Sequence, residues 1–444
     1  MYFNQAIETL PLQQLRALQN KRLLQTITHA RQHSPFYKKQ WLHAGIDLPS
    51  IQSVDDLHRL PFTTKEDLRD HYPFGMFATP MEAIARIHCS SGTTGKPTVV
   101  GYTKNDLEVF SEVNARSLVA AGARPGMKLQ NAYGYGLFTG GLGLHYGAEK
   151  LGMAVIPVSG GMTERQIMLL LDFMPEVMCC TPSYALALAE VIVRKNIDVR
   201  ELNLKYMLLG AEPWTETVRQ QIEQTLQVAA TNIYGLSEII GPGVAQEDVD
   251  ERHSGSYIWE DHFFPEVVHP VTGEPVKEGD LGVLVFTTLT KEAMPLVRYR
   301  TNDITNLWYE KKSKRTHIKM GPIQGRADDM LIIRGVNLFP TQVEAVLQEI
   351  EGFSPHYQLV VTRQHALDEV EVLVELDNER YPLHYFENME EEPLSELHEA
   401  LQHQLSQKIK GIIGLTMKVT IKHHHSLPRS EGGKLGRIID LRNN

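Results

Sequence analysis

The chain has 444 residues, 42% hydrophobic and 22% charged, with a formal net charge of −10 at pH 7. That balance excludes a disordered chain, and the acidic sign excludes a general binder of nucleic acid or of an anionic membrane surface. The length calls for roughly two to four domains. No apolar stretch is long enough to span a bilayer, and residues 1–10 show no basic cluster leading into an apolar run, so no secretory leader is expected. Cys89, Cys179 and Cys180 are an odd set with two adjacent members, which is no disulfide framework. A reduced, cytoplasmic setting is expected.

In chain order, residues 11–45 read as helical with Pro35 as a breaker. Leu60-Pro61-Phe62-Thr63-Thr64-Lys65 reads as a loop feeding a helix, with Thr64 as cap and Asp67 three residues on. From 84 to 320, strand-like runs (84–88, 154–158, 177–180, 206–209, 281–288) alternate with helical ones (106–121, 164–171, 183–194, 216–227). Such alternation predicts α/β layering. The pattern changes near Gly325: strands over 330–334, 357–362, 369–376 and 416–421 accompany helices over 340–349 and 394–409. The expected architecture is α/β, with a large layered N-terminal domain of mixed sheets and helices and a small mobile α+β C-terminal domain. Its divisions are a helical microdomain over 1–80, a large α/β domain over 81–325, and the small domain over 326–444. The run Glu390-Glu391-Glu392 reads as solvated, and His423-His424-His425 as a polar strand end.

Five segments carry possible chemistry. Ser90-Ser91-Gly92-Thr93-Thr94-Gly95-Lys96-Pro97-Thr98 combines hydroxyls, two permissive glycines and one ammonium, a cradle for phosphate oxygens. Its glycines are too close, and Pro97 follows the lysine, so it is no Walker A loop. The same composition also suits a flexible surface turn. In Tyr234-Gly235-Leu236-Ser237-Glu238, after a strand over 228–233, tyrosine offers a face to a base, serine a hydroxyl to phosphate and glutamate a hard oxygen to Mg²⁺. Read alone, this is also a turn sequence. In Tyr299-Arg300-Thr301-Asn302-Asp303 the aspartate can accept two ribose hydroxyls or form an Asx turn. Gly325-Arg326-Ala327-Asp328-Asp329 stands where the pattern changes and suits a hinge. Lys434, in Arg429-Ser430-Glu431-Gly432-Gly433-Lys434, sits on a glycine-rich run that can carry its charge into a distant site; taken alone it reads rather as a solvated tail lysine.

Together and in this order the segments resemble the adenylate-forming acyl-CoA synthetases, and more closely the phenylacetate–CoA ligase family. The likeness runs from the Leu60-to-Lys65 segment to Asp440. It also rests on Ala132-Tyr133-Gly134-Tyr135-Gly136-Leu137-Phe138-Thr139-Gly140-Gly141, Gly210-Ala211-Glu212-Pro213-Trp214, Trp259-Glu260-Asp261-His262, Leu289-Thr290-Lys291-Glu292-Ala293-Met294-Pro295, and the run from Met330 to Pro340.

The resemblance implies an ATP-dependent aryl acid–CoA ligase using ATP, Mg²⁺ and coenzyme A, and assembling as a homodimer. It implies that Ser90, Ser91, Gly92, Thr93, Thr94, Gly95 and Lys96 hold the β- and γ-phosphates. Glu212, Pro213, Tyr234, Asp303 and Arg326 would hold adenosine, Ser237 the α-phosphate, and Glu238 the Mg²⁺. Lys434 would serve adenylation, Asp328 would be the hinge, and Lys65 would reach the partner's site. The acid would lie against Tyr133, Phe138, Leu144, Ala211 and Ile233. Members of that family often have alanine where this chain has Leu144, so the slot is expected to be shortened or reshaped. Some carry cysteines after the Gly241-Pro242-Gly243 segment that suit structural zinc. The run from Gln246 to His253 has none, so no structural zinc is expected, His253 and His262 being the residues to inspect. Two other readings are a relative that adenylates a different acceptor, as some synthetases do with a deazaflavin cofactor, and a catalytically silent ATP- or acyl-binding regulator. Glu238, Asp303 and Lys434 together speak against the second.

Overall fold

The computed structural model describes residues 1–90, 97–327, 331–333, 336–364, 367–377, 380–381, 391–422, 424–429 and 436–442. Among these, the largest sheet has nine strands. Its parallel half runs, in spatial order, Ala154–Ile156, Lys128–Asn131, Val177–Cys180, Tyr206–Gly210 and Ala229–Leu236. All four residues of Val177–Cys180 are buried, as a parallel strand covered on both faces requires.

Strand alternation sorts side chains into two cores on opposite faces. Met178, Cys180, Met207 and Leu209 meet helices Thr163–Phe173, Pro182–Arg194 and Glu216–Leu226. Val177, Cys179, Leu208 and Ile233 meet helices Lys104–Ala120 and Gly140–Leu151. Thr103 and Asp106 form a reciprocal capping box at the start of Lys104–Ala120, satisfying backbone N–H groups that would otherwise lie open.

The expected strand over 228–233 continues to Leu236, so Tyr234 and Gly235 are strand residues rather than part of a turn. The register of Ala229–Leu236 against Gly241–Glu247 shifts between Tyr234 and Gly235. A Cβ on Gly235 would lie 1.9 Å from the carbonyl oxygen of Gly241, so only glycine permits that close approach.

A second, antiparallel sheet orders Phe263–Val268, Gly282–Thr288, Tyr299–Thr305 and Gly325–Arg326. Thr63 joins its Tyr299–Thr305 strand: its N–H donates to the Arg298 carbonyl at 3.0 Å, and its carbonyl accepts from Arg300 N–H at 2.9 Å. Helices Leu12–His33 and Pro35–His43 meet at Pro35, which is tolerated in the first turn of the second. Leu23, Ile27 and Trp41 from these helices share a core with Trp259, Phe286 and Met294 of the large domain.

Residues from Leu331 to Val419 form a separate core built of Val343, Leu359, Val372, Leu405 and Ile409 among others. Its four-stranded sheet orders Lys418–Lys422, Leu367–Leu376, Phe353–Gln364 and Ile438–Asp440, with helices Pro340–Gln348 and Glu391–Ile413. Among the described residues no helix is long and apolar enough to cross a membrane.

Candidate functional site

The carboxyl ends of the central parallel strands deliver the candidate residues to one region, as open α/β sheets commonly do. Tyr133 follows Lys128–Asn131, Ala211 and Glu212 follow Tyr206–Gly210, and Ser237 and Glu238 follow Ala229–Leu236. Tyr133, Leu144 and Ile233 are 3%, 0% and 3% exposed, in one apolar cluster against which Phe138 and Ala211 pack. All five residues expected to form the acid wall thus belong to or border one cluster. Ala211 is held at φ 72°, a left-handed conformation that a non-glycine residue adopts at a cost and that recurs at functional sites.

A second group faces the end of the Ala229–Leu236 strand. The Tyr234 hydroxyl donates to Asp303 Oδ2 at 2.6 Å. Burial pushes the Tyr234 phenol well above its ordinary range and the neighbouring Asp303 charge adds to this, so the proton stays on the phenol. Arg326 pairs with Asp303 across the second sheet, and its guanidinium lies 3.6 Å from Asp303 Oδ1. Asp303 sits within the strand Tyr299–Thr305.

Ser237 and Glu238 are both nearly buried, 7% and 8% exposed. Ser237 Oγ lies 3.1 Å from Thr139 Oγ1, which ties the Ser237 hydroxyl to the residue after Phe138. Glu238 Oε1 accepts a long hydrogen bond from the Tyr299 hydroxyl at 3.4 Å. The Glu238 carbonyl accepts from Lys291 Nζ at 2.7 Å. Burial pulls the Lys291 amine down to about 8, against the attraction of Asp106 and Glu238. Asp106 also accepts the backbone N–H groups of Glu292 and Ala293 at 2.7 and 2.9 Å, locking the segment that carries Lys291.

Ser90 begins the proposed phosphate loop. Its N–H donates to the Thr98 carbonyl at 2.9 Å, and its hydroxyl accepts from Thr98 N–H at 3.0 Å. The preceding residue binds the Ala132-to-Gly141 segment through Cys89 N–H to the Leu137 carbonyl, at 3.0 Å. Ser91, Gly92, Thr93, Thr94, Gly95 and Lys96 lie outside the described residues, as do Asp328 and Lys434. Glu212 has a structural task besides any role at adenine: its Oε1 accepts from Ser183 N–H at 2.7 Å, placing a carboxylate at the start of Pro182–Arg194. Pro213 is exposed. Lys65 opens helix Lys65–Asp70, capped by Thr64, two residues after Thr63 meets the second sheet.

His253 and His262 have separate partners. His253 Nδ1 lies 2.9 Å from Glu216, whereas His262 Nε2 lies 3.1 Å from Asp261, itself paired with buried Arg116 at 2.8 Å. Among the described residues no group of three His, Cys, Asp or Glu side chains is placed to hold a metal ion.

Sequence reasoning gave no role to Thr139, Lys291 or Tyr299. Lys291 did leave a signal: a lone lysine close after the apolar Gly282–Thr288 strand, four residues before a proline, is seldom buried without a partner.

Residues 13–289 match the AMP-binding enzyme family, and residues 335–442 match the AMP-binding enzyme C-terminal domain. The chain is 60% identical to the phenylacetate-coenzyme A ligase of Thermus thermophilus, over 100% of both chains. It is 28% identical to a solved 2-hydroxyisobutyryl-CoA ligase in the postadenylation state in complex with 2-HIB-AMP, with a TM-score of 0.88 over 98% of this chain and 92% of that one. The same ligase with 2-HIB-AMP and CoA in the thioesterification state gives a TM-score of 0.71 at 29% identity, over 99% and 92%.

Proposed function

This chain belongs to the AMP-binding enzyme family and to its phenylacetate–coenzyme A ligases, and we propose that it joins phenylacetate or a close aryl relative to coenzyme A. The observation that carries the reading is full-length similarity to a phenylacetate-coenzyme A ligase. The buried wall of Tyr133, Phe138, Leu144, Ala211 and Ile233 supports it, because an apolar slot lined by rings and aliphatic groups suits a flat aromatic ring.

In the first half-reaction a carboxylate oxygen attacks the α-phosphorus of ATP, and the bond to pyrophosphate breaks. Both reactants are anionic, so the site must offset their repulsion and the charge on the departing group. The 90–96 loop would take the β- and γ-phosphates, Ser237 the α-phosphate, and Tyr234, Asp303 and Arg326 the nucleoside. Glu238 fits a divalent cation: its nearly buried carboxylate is a hard oxygen donor with a single long hydrogen bond among the described residues. Magnesium bound there would spread the phosphate charge. Lys434 would bring a positive charge to the meeting point of carboxylate and α-phosphate. In the second half-reaction the CoA sulfur attacks the acyl carbon, the bond to AMP breaks, and the thiol proton leaves. That step needs another arrangement, for which Asp328 is the proposed hinge. The higher TM-score to the postadenylation form supports reading the present domain orientation as the adenylating one.

A panel of aryl acids with ATP, Mg²⁺ and CoA, following AMP release, tests the proposal. AMP release that requires both an aryl acid and CoA supports it. Equal activity on octanoate and phenylacetate overturns the aryl specificity. Absence of pyrophosphate release with every aryl acid revives the silent regulator, and AMP-forming transfer to an acceptor other than a thiol revives the other adenylating reading. The proposal extends to a homodimer in which Lys65 of one chain reaches a carboxylate or phosphate at the partner's site. Sedimentation reports the assembly, and an unaltered acid affinity and adenylation rate in Lys65→Ala would remove the contact.

A further inference from the structure

One carboxylate of the large domain reaches into the small one. Glu190, on helix Pro182–Arg194, accepts from or is paired with His356 of strand Phe353–Gln364, with Oε1 and Nε2 2.7 Å apart. The His356 side chain is only 4% exposed. The other Glu190 oxygen lies 3.7 Å from Arg429 Nε, a buried donor with no hydrogen bond among the described residues. Arg429 is itself fixed within the small domain. Its two terminal nitrogens bind both oxygens of Glu375, at 3.1 and 2.7 Å, and the Glu375 side chain is fully buried. That fork geometry orients a guanidinium closely. Glu375 also accepts the backbone N–H groups of His425 and Leu427, at 3.1 and 2.7 Å. The chain just before the Arg429-to-Lys434 run is therefore held rigidly, and its arginine presents its remaining edge to the large domain.

We infer that Glu190 is a positioning residue for adenylation, the large domain's seat for His356 and Arg429 of the small domain in the orientation that forms the acyl-adenylate. The inference rests on the ligase reading above. Its chemistry is a differential contact. A carboxylate on one domain engages an imidazole and a guanidinium on the other only while the two domains keep this relation. Rotation toward the thiolysis arrangement breaks the His356 bond and withdraws the nearest carboxylate from the Arg429 Nε edge. Glu190 thus weights the equilibrium toward one orientation without touching substrate. A second bond, Gln348 Nε2 to Thr215 Oγ1 at 2.5 Å, crosses the same boundary but carries no charge.

The test measures two rates for each full-length variant: pyrophosphate release from ATP plus aryl acid, and thioester formation from supplied aryl-adenylate plus CoA. Glu190→Ala is expected to slow the first by about tenfold at saturating ATP and acid and to leave the second unchanged or faster. His356→Gln keeps a donor toward Glu190 and is expected to stay within about twofold of the parent in both rates, whereas His356→Ala should follow Glu190→Ala. Glu190 is partly exposed, so its loss should not unfold the helix, and an intact second rate verifies that directly. Equal slowing of both half-reactions, or an unslowed first one, overturns the inference. If the parent protein releases no pyrophosphate with any aryl acid, the ligase reading has failed instead.

Discussion

The Tyr234 hydroxyl holds Asp303 Oδ2 at 2.6 Å, joining the strand that ends the parallel half of the large sheet to the second sheet. The phenol keeps its proton across the working pH range, so it serves as a fixed donor that orients the carboxylate. A hydrogen bond to a charged group contributes about 1.5–3 kcal/mol. Tyr234→Phe should therefore raise KM for ATP by roughly tenfold with kcat little changed. Asp303→Ala, which removes the proposed nucleoside contact itself, should raise it further. Pyrophosphate exchange at varied ATP measures both. An unchanged KM in Tyr234→Phe would mean that the bond does not position Asp303.

Lys291 offers a second prediction. Its ammonium is the donor to the Glu238 carbonyl and is buried between the Asp106 and Glu238 charges. Lys291→Met removes the donor and leaves buried acceptors behind, a cost of about 1–3 kcal/mol for each group left unpaired. The variant should unfold at lower urea, and its adenylation rate should fall because the Ser237–Glu238 turn loses a tether. Adenylation at the parent rate in a destabilised protein would confine Lys291 to folding.

These two relationships mark what the sequence could and could not disclose. The short apolar run over 177–180 is a strand with those same bounds, because four consecutive buried residues leave little choice of local structure. The residues proposed for the acid wall come from four separate segments yet share one cluster: Tyr133 and Ala211 follow parallel strands, Ile233 lies within one, and Leu144 sits on helix Gly140–Leu151. Tyr234 read as part of a turn because Gly235 usually signals one; here the glycine serves a register shift against Gly241 and Pro242 inside a strand. The contacts of Glu190 with His356 and of Lys291 with Glu238 have no local signature. They join residues 166 and 53 positions apart, and only tertiary packing brings them together.

A pH prediction follows from His262. Its ring is 3% exposed, beside Asp261, Arg116, Arg22 and Glu112, and its Nδ1 lies 2.8 Å from Thr290 Oγ1. The two carboxylates already balance the two arginines, so a proton on His262 would add an uncompensated buried charge. Burial accordingly pushes its pKa down to about 4, although the Asp261 charge pulls the other way. The folded value lies below the unfolded one, so the unfolded chain takes up the proton first. This part of the stability is present above about pH 6.5 and is lost as pH falls toward 4, at up to roughly 1.4 kcal/mol per pH unit. Urea unfolding from pH 7 to 4 should show a steeper loss in the parent than in His262→Gln. Parallel slopes would show that His262 is protonated in the folded protein.

Leu144 bears on which acid is accepted. It is fully buried on helix Gly140–Leu151 and packs with Tyr133 and Ile233, with Phe138 and Ala211 at the margin. Leu144→Ala removes the outer carbons of that side chain, and a buried truncation of this kind costs about 2–5 kcal/mol of stability. If the side chain bounds the acid slot, the space it vacates becomes space for substrate. A methylene of fit is worth only about 1–3 kcal/mol, so the parent should separate neighbouring aryl acids modestly, and the variant should reorder them without gaining absolute specificity. The expected outcome is a relative gain in kcat/KM for 3-phenylpropionate and ring-substituted phenylacetates over benzoate, with KM for ATP unchanged. The ATP control separates a reshaped acid slot from a general loosening of the fold, which would raise both Michaelis constants together. An unchanged rank order across the acid panel, in a variant that is measurably destabilised, would place Leu144 in the core behind the wall and remove it from the pocket.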